Sequence, residues 1–343
     1  MASFLKYLLV YDAFIINLIN ILLIIFPLLL SVAYFTLIER KIMAGIQRRK
    51  GPNVVGILGL LQPFADGLKL IIKETIIPAS ANKILFLLSP ILVLILSLLN
   101  WGAMPFNIGI VIGDIKLSLL FTLAISSLGV YGFLVAGWAS NSKYAFLGAL
   151  RAAAQMVSYE VSLGLIIMVI VIATNSFNFT EIVISQRFGI YFFCFFPNFL
   201  MFIITVLAET NRTPFDLPEA EGELVAGYNV EYSGVGFAYF FIAEYVNIIL
   251  MSALLVNVFL GGWISPFGLK GLIFESLLSI WFSLKLVIII FLFCIIRAGL
   301  PRYRYDQLMT IGWKILLPLA LAFFIIYISV FKNFESLLLI KNI

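Results

Sequence analysis

The 343-residue chain contains no histidine, only two cysteines, and a charged fraction of 11%. Each shortage excludes a class of chemistry. Without imidazole there is no histidine ligand for a haem and no histidine-based metal site. Cys194 and Cys294 lie in apolar runs, and an iron–sulfur cluster normally takes about four thiolates. No Gly-x-Gly-x-x-Gly follows a strand-like run, so no flavin or NAD dinucleotide site is legible. A soluble domain carries about 25% charge. With 63% hydrophobic residues, the chain reads as a polytopic membrane protein rather than as two soluble domains. No fixed-period repeat, low-complexity tract or soluble linker divides it, so residues 1–343 read as one membrane domain. The first apolar run is too long for a cleaved signal and no small-residue cleavage site follows it. Any redox centre that the protein serves is expected on other chains.

What is present is long apolar runs. Eight are predicted to span, at roughly 11–38, 84–106, 117–138, 154–174, 190–209, 237–259, 276–297 and 310–331, each near the length of about 20 residues that a spanning helix needs. Backbone groups in lipid must bond within their own segment, so all eight are read as helices, and the first is long enough to tilt or protrude. Eight spans put both termini on one side. The loops after spans one, three, five and seven hold 15 of the 22 Lys and Arg residues, the other loops and termini hold six, and Lys285 falls inside a span. The bias places the odd loops inside, in the cytoplasm or mitochondrial matrix, and the termini outside.

The inner loop 208–236 stands out. Its stretch Ala208–Gly234 carries Glu209, Asp216, Glu219, Glu221, Glu223 and Glu231 against one cation, Arg212. Six of the 17 carboxylates thus sit in under a tenth of the chain, and Pro214, Pro218, Gly222 and Gly227 mark a shaped, non-helical run. A solvated acidic surface would have the same composition. Arg212 follows Glu209 by three residues, a spacing that allows a local pair.

Ionisable groups inside spans are costly and usually face a bundle interior. Glu160 lies about six residues into span four, roughly 9 Å deep, and Glu244 about seven into span six, roughly 10 Å deep. Glu209 closes span five at the inner face. Lys285 lies about 18 Å from the inner surface. These residues read as a line of carboxylates running from the acidic loop towards a mid-membrane lysine, suited to proton transfer. The competing reading is that they only tie helices together.

The inner loop 39–83 begins with the basic run Glu39–Lys50, which also fits plain topology signal and contact with anionic lipid. Beyond it, Gln62, Asp66, Lys69 and Lys73 form a narrow polar stripe, predicting an amphipathic helix at the membrane interface or packed on partner subunits. In the loop 297–314 cations alternate with tyrosines, as at a membrane helix end rather than a nucleic-acid surface. Its aromatic faces beside Arg and Asp also suit a pocket for a flat, lipid-tailed ligand.

Four stretches resemble a known family: ERKIMAGIQRRKGPNVVG with LLQPFADGLKLIIKE, ALRAAAQMVSYE, AETNRTPFDLPEAEGELVAGYNVEYSG, and IRAGLPRYRYDQLM. They are similar to subunit 1 of respiratory complex I, the proton-pumping NADH:quinone oxidoreductase, from Glu39 to about Pro318. The resemblance implies ubiquinone as substrate and partners among the other membrane-arm subunits, the peripheral-arm quinone-site and iron–sulfur subunits, and membrane lipids. It places Glu39, Arg40 and Asp66 near a quinone entrance, and Arg212, Asp216, Arg302 and Asp306 in loops around the quinone chamber. It puts Glu160, Glu209, Glu219, Glu221, Glu223 and Glu244 in an acidic channel linking chamber to pumping subunits, and Lys285 matches a lysine common there. A subunit of a membrane-bound hydrogenase-type complex and an independent ion/proton antiporter stay open as alternatives. The expected location is the mitochondrial inner membrane, or a bacterial plasma membrane.

Overall fold

Apolar runs fold as helices because lipid offers the backbone no partner, and α-helix persists here even across Pro27 and Pro90. The computed structural model describes residues 2–217, 227–265 and 278–340, with side chains at 18–187, 189–217, 227–265 and 279–331. Among the described residues the regular structure is helical, apart from one isolated bridge between Asn107 and Ile110. The helices are α1 (Ala2–Ile46), α2 (Gln62–Ile72), α3 (Lys83–Leu99), α4 (Ser118–Ala139), α5 (Lys143–Thr174), α6 (Phe179–Ser185), α7 (Phe196–Glu209), α8 (Gly234–Phe259), α9 (Leu278–Gly299), α10 (Tyr305–Thr310) and α11 (Leu317–Ile340). A π-helical turn, Ile311–Leu316, joins the last two.

Seven described helical stretches are long and apolar enough to cross a membrane. The predicted span 190–209 differs from the rest. A single helical turn, Tyr191–Cys194, is followed by a break at Phe195 (φ −118°, ψ 37°), and α7 starts afresh with Pro197 in its first turn. Proline lacks the N–H that would continue the ladder, which makes it a natural helix opener. The 14 residues of α7 extend only about 21 Å.

Two boundaries shift enough to change the reading of the site. α1 continues through Glu39, Arg40 and Lys41 to Ile46, so these residues are helical rather than part of a loop. Hydropathy ended the run at the first charges, but Glu39 finds partners inside the bundle and the helix has no reason to stop. α5 begins at Lys143, so Arg151 is helical too. Glu160 therefore stands roughly 26 Å from its helix start, not 9 Å. The amphipathic stripe is as expected: α2 opens with Pro63 in its first turn and buries none of its residues in this chain.

α5 and α8 are the most enclosed elements. Tyr159, Phe202, Phe259 and Trp263 are wholly buried around them. Between membrane helices small residues permit close backbone approach. A Cβ on Gly137 of α4 would lie 2.4 Å from the Ala149 Cβ of α5. A Cβ on Gly148 would lie 2.7 Å from the Gly227 Cα, so α5 carries the end of the acidic loop directly on its backbone. At the start of α8, the Tyr232 ring stacks on Phe86 at 4.1 Å and its hydroxyl lies 2.8 Å from Ser89 Oγ. Burial, partly offset by Ser89, pushes that hydroxyl up to about 12, so it stays neutral. α3 and α8 thus begin at the same end of the bundle.

Overpacking a close contact costs about 1–3 kcal/mol. Gly148→Val should therefore lower the yield of folded, assembled protein on native gels, whereas Gly164→Val, at a site where a Cβ meets nothing within 4 Å, should not.

Candidate functional site

The site is built on a cluster of buried charges. Glu39 from α1 is 6% exposed and takes both arginines on one oxygen: Arg297 Nη1 of α9 in a tight contact, and Arg212 Nη1 at 3.4 Å. Its other oxygen accepts the Tyr245 hydroxyl of α8 at 2.6 Å. Arg212 also lies 2.9 Å through Nε from Glu244 Oε1 and sits over the Tyr245 ring at 4.5 Å. The Glu244 contact is an ion pair rather than an aligned hydrogen bond, since Nε has no well-directed acceptor. Burial works against the Arg212 charge, but Glu244, Tyr245 and Glu39 outweigh it and hold its pKa above the usual arginine value.

The expected Arg212–Glu209 pair is not formed; Arg212 pairs with Glu39 and Glu244 instead. α7 ends at Glu209, and Asn211 takes a left-handed φ of 51° that turns the chain. Gln155, fully buried in α5, secures the turn by donating Nε2 to the carbonyls of Ala208 (2.7 Å) and Phe215 (2.8 Å).

This separates the predicted carboxylates into two groups. The charges acting on Glu244 are Arg212, Asp216, Arg297 and Glu39. The charge acting on Glu209 is Glu160. Glu209 Oε2 is buried and has no hydrogen-bond partner. Glu160 and Glu209 thus form a pair apart from the arginines, and Glu244 belongs with the cluster. Glu219, Glu221 and Glu223 lie outside the described residues, as do Pro218 and Gly222.

Lys285 is placed at the far end of α8. Its Nζ donates to the carbonyls of Leu260 (2.6 Å), Gly262 (2.9 Å) and Ile264 (2.6 Å). Gln186 Nε2 donates to Asn257 and Val258 at 2.9 and 3.1 Å. Gln186 thus takes two carbonyls of the last turn of α8, and Lys285 takes those of the turn that follows, a cation at the negative helix end. Glu244 is about 15 residues back along α8, roughly 22 Å from its end.

Two further parts adjoin the cluster. Between α1, α2 and α8 opens a largely apolar groove of about 580 Å³, lined among others by Val32, Leu70, Phe237 and Phe241. Its polar rim is Arg40 Nη1 on Asp66 Oδ2 at 2.7 Å, with Gln62 Nε2 on Asp66 Oδ1 at 3.0 Å. On the loop side, Arg302 Nη2 holds Asp216 Oδ2 at 3.0 Å and the Tyr303 amide donates to Pro214 at 3.0 Å. Phe215 and Tyr303 rings lie 5.6 Å apart. Asp306 stands exposed in the first turn of α10, beside a groove it shares with Tyr303 and Gln307. Reading the sequence missed Tyr245, Gln155 and the role of Arg297. The available signals were an aromatic beside an intramembrane glutamate, and a glutamine within an alanine-rich helix.

Residues 19–328 match the family model described as NADH dehydrogenase. The chain belongs to the NADH dehydrogenase family. Its relatives include NADH-ubiquinone oxidoreductase chain 1 of Chondrus crispus, 59% identical over 93% of this chain and 98% of the relative. The protein of the same name from Arabidopsis thaliana is 59% identical over 88% of this chain and 93% of its own. An NADH-quinone oxidoreductase subunit of the bacterium Paramagnetospirillum magneticum is 54% identical over 92% of each chain. The family match spans both the charge cluster and the groove.

Removing one partner of a buried ion pair costs about 3–5 kcal/mol. Arg212→Gln should reduce assembled protein severely, and Arg212→Lys should not restore it, since one ammonium cannot reproduce the guanidinium fork. Native-gel quantification checks both. Asp216 is held above the ordinary aspartate value by burial, only partly countered by Arg302. It therefore takes up a proton at a higher pH than a free aspartate as pH falls, weakening its hold on Arg302. The acid limb of the pH–activity profile should lie above the ordinary aspartate value, and Asp216→Asn should remove that limb.

Proposed function

We propose that this chain is a core membrane subunit of a proton-translocating NADH:quinone oxidoreductase, contributing the membrane part of the quinone chamber and the first carboxylates of the coupling path. The observation that carries the reading is the apolar groove between α1, α2 and α8, which backs onto the buried charge cluster through α1 itself: Arg40 rims the groove, and Glu39, its neighbour, anchors both arginines. A lipid-tailed quinone suits such a groove, with its isoprenoid chain on the apolar wall and its head directed to the polar end. Ubiquinone is then a substrate, and the electrons come from iron–sulfur and flavin centres on partner chains. Arg212, Asp216, Arg302 and Asp306 belong to the loops around the chamber.

The chain crosses an energy-conserving membrane, the mitochondrial inner membrane or a bacterial plasma membrane. Counting α7 with the turn before it, the crossings number eight, with both termini outside and the charged loops facing the peripheral arm. Quinone reduction takes up two electrons and two protons and changes the charge of the chamber. The Arg212–Glu244 contact responds first, because it borders both chamber and bundle. Glu160 and Glu209, with Glu219, Glu221 and Glu223 of the acidic loop, then exchange protons towards neighbouring subunits. Lys285 takes part by fixing the far end of α8, on which Glu244 rides. The relatives' names favour this role over a hydrogenase-type complex or a free-standing antiporter.

General acid–base groups contribute about 10²–10⁴ in rate. Glu160→Gln and Glu209→Gln should each slow NADH:quinone turnover at least about tenfold, while oxidation of NADH by an artificial acceptor in the same preparations stays level. Quinone-linked turnover and proton pumping that both match the parent would reject the reading.

A further inference from the structure

Two walls of the apolar groove, α2 and α8, meet at one corner. α2 ends at Ile72, with Lys73 closing it, and α8 starts at Gly234. There the two chains touch backbone to backbone. Gly234 takes a left-handed φ of 58°, and a Cβ on it would lie 2.7 Å from the Lys73 carbonyl oxygen. α2 itself buries none of its residues in this chain, so apolar burial holds it only weakly. Towards α1 it is tied by the Arg40–Asp66 pair and by the Phe64 ring, edge-on to Tyr34 at 6.1 Å.

Towards α8 the tie comes from a serine diverted from its ordinary task. Ser233 stands at the N-cap of α8 with extended backbone (φ −133°, ψ 164°). A serine at that position ordinarily accepts an amide of the first helical turn. Ser233 makes no such bond. Its hydroxyl instead accepts the Ile76 N–H at 2.9 Å and donates to the Glu74 carbonyl at 3.2 Å. One side chain thus fastens the segment that leaves α2. The residue before it, Tyr232, is fixed to α3 through Phe86 and Ser89, so the anchor belongs to the bundle and not to α2.

We propose that Ser233 is a positioning residue for the quinone tail: its hydroxyl latches the end of α2 to the start of α8 and so sets the width of the groove between them. The proposal rests on the reading of that groove as the quinone groove. Leu70, in the last turn of α2, and Phe237, in the first turn of α8, both line it. An isoprenoid chain between such walls gains contact in proportion to how closely they approach it. A wall held in place beforehand spares the ordering that binding would otherwise have to impose. A latch of this kind acts on the tail, not on the head or on electron transfer.

The test uses the assembled complex in membranes bearing Ser233→Ala, Ser233→Thr or Phe237→Ala, with NADH oxidation by an artificial acceptor as the assembly control. Ser233→Ala should raise the KM for a ubiquinone with a full isoprenoid tail about threefold or more while kcat holds, the pattern of lost uniform binding. For a ubiquinone with a single isoprene unit, which leaves most of the groove empty, the KM should stay at the parent value. Ser233→Thr keeps the hydroxyl and should keep the parent KM for both quinones. Should Ser233→Ala not assemble, Ser233→Cys, whose thiol is a weak hydrogen-bonding group, is judged by the same criteria. A KM raised equally for both quinones, or a loss of kcat alone, would overturn the proposal. So would parent-like kinetics in the Ser233 variants while Phe237→Ala raises the full-tail KM, an outcome that leaves the groove reading standing. Parent-like kinetics in Phe237→Ala as well would remove the groove reading and the latch with it.

Discussion

Four charges of balanced sign, Glu39, Glu244, Arg212 and Arg297, share one buried site inside an otherwise apolar bundle. Lipid is as apolar as the side chains it would replace, so burial alone does little to choose how membrane helices pack. A charge cluster does choose. Each member is unfavourable away from its partners, and the members come from α1, the turn after α7, α8 and α9. One arrangement of these elements satisfies all four, and the positions of groove, chamber loops and carboxylate pair follow from it.

The cluster also divides the chemistry. On its α1 side the next residue, Arg40, rims the groove with Asp66. On its loop side Asp216 and Arg302 tie the turn after α7 to the chain leaving α9. Glu160 and Glu209 stand outside the arginines' pairing. A cluster of balanced charge thus lies in one bundle with a carboxylate pair that stands apart from its arginines. Lys285 and Gln186 hold the carbonyls at and just beyond the end of α8.

Hydrophobic runs predicted the long helices well, because one local property decides them. The amphipathic α2 was legible for the same reason: its stripe recurs at helical spacing. Helix ends were misread where charge interrupts hydropathy. Glu39–Lys41 and Arg151 look like loop residues until their partners are known. Pairings were the least legible. Glu39 meets Arg297 across 258 positions, a distance no local pattern reports. Arg212 looked like a partner for Glu209 by spacing, but the helix ends between them and Asn211 turns the chain towards Glu39. Nor does any local pattern report that Lys285 donates to three carbonyls that follow α8.

The account's central claim is that the four charges act as one neutral unit, and a double-mutant cycle tests it most directly. Arg212→Gln alone leaves two carboxylates against one arginine; adding Glu39→Gln restores balance between Glu244 and Arg297. The account predicts that the double variant holds more assembled complex, with more quinone-linked turnover, than Arg212→Gln alone. Losses that simply add, with the double variant worse than either single one, would contradict it.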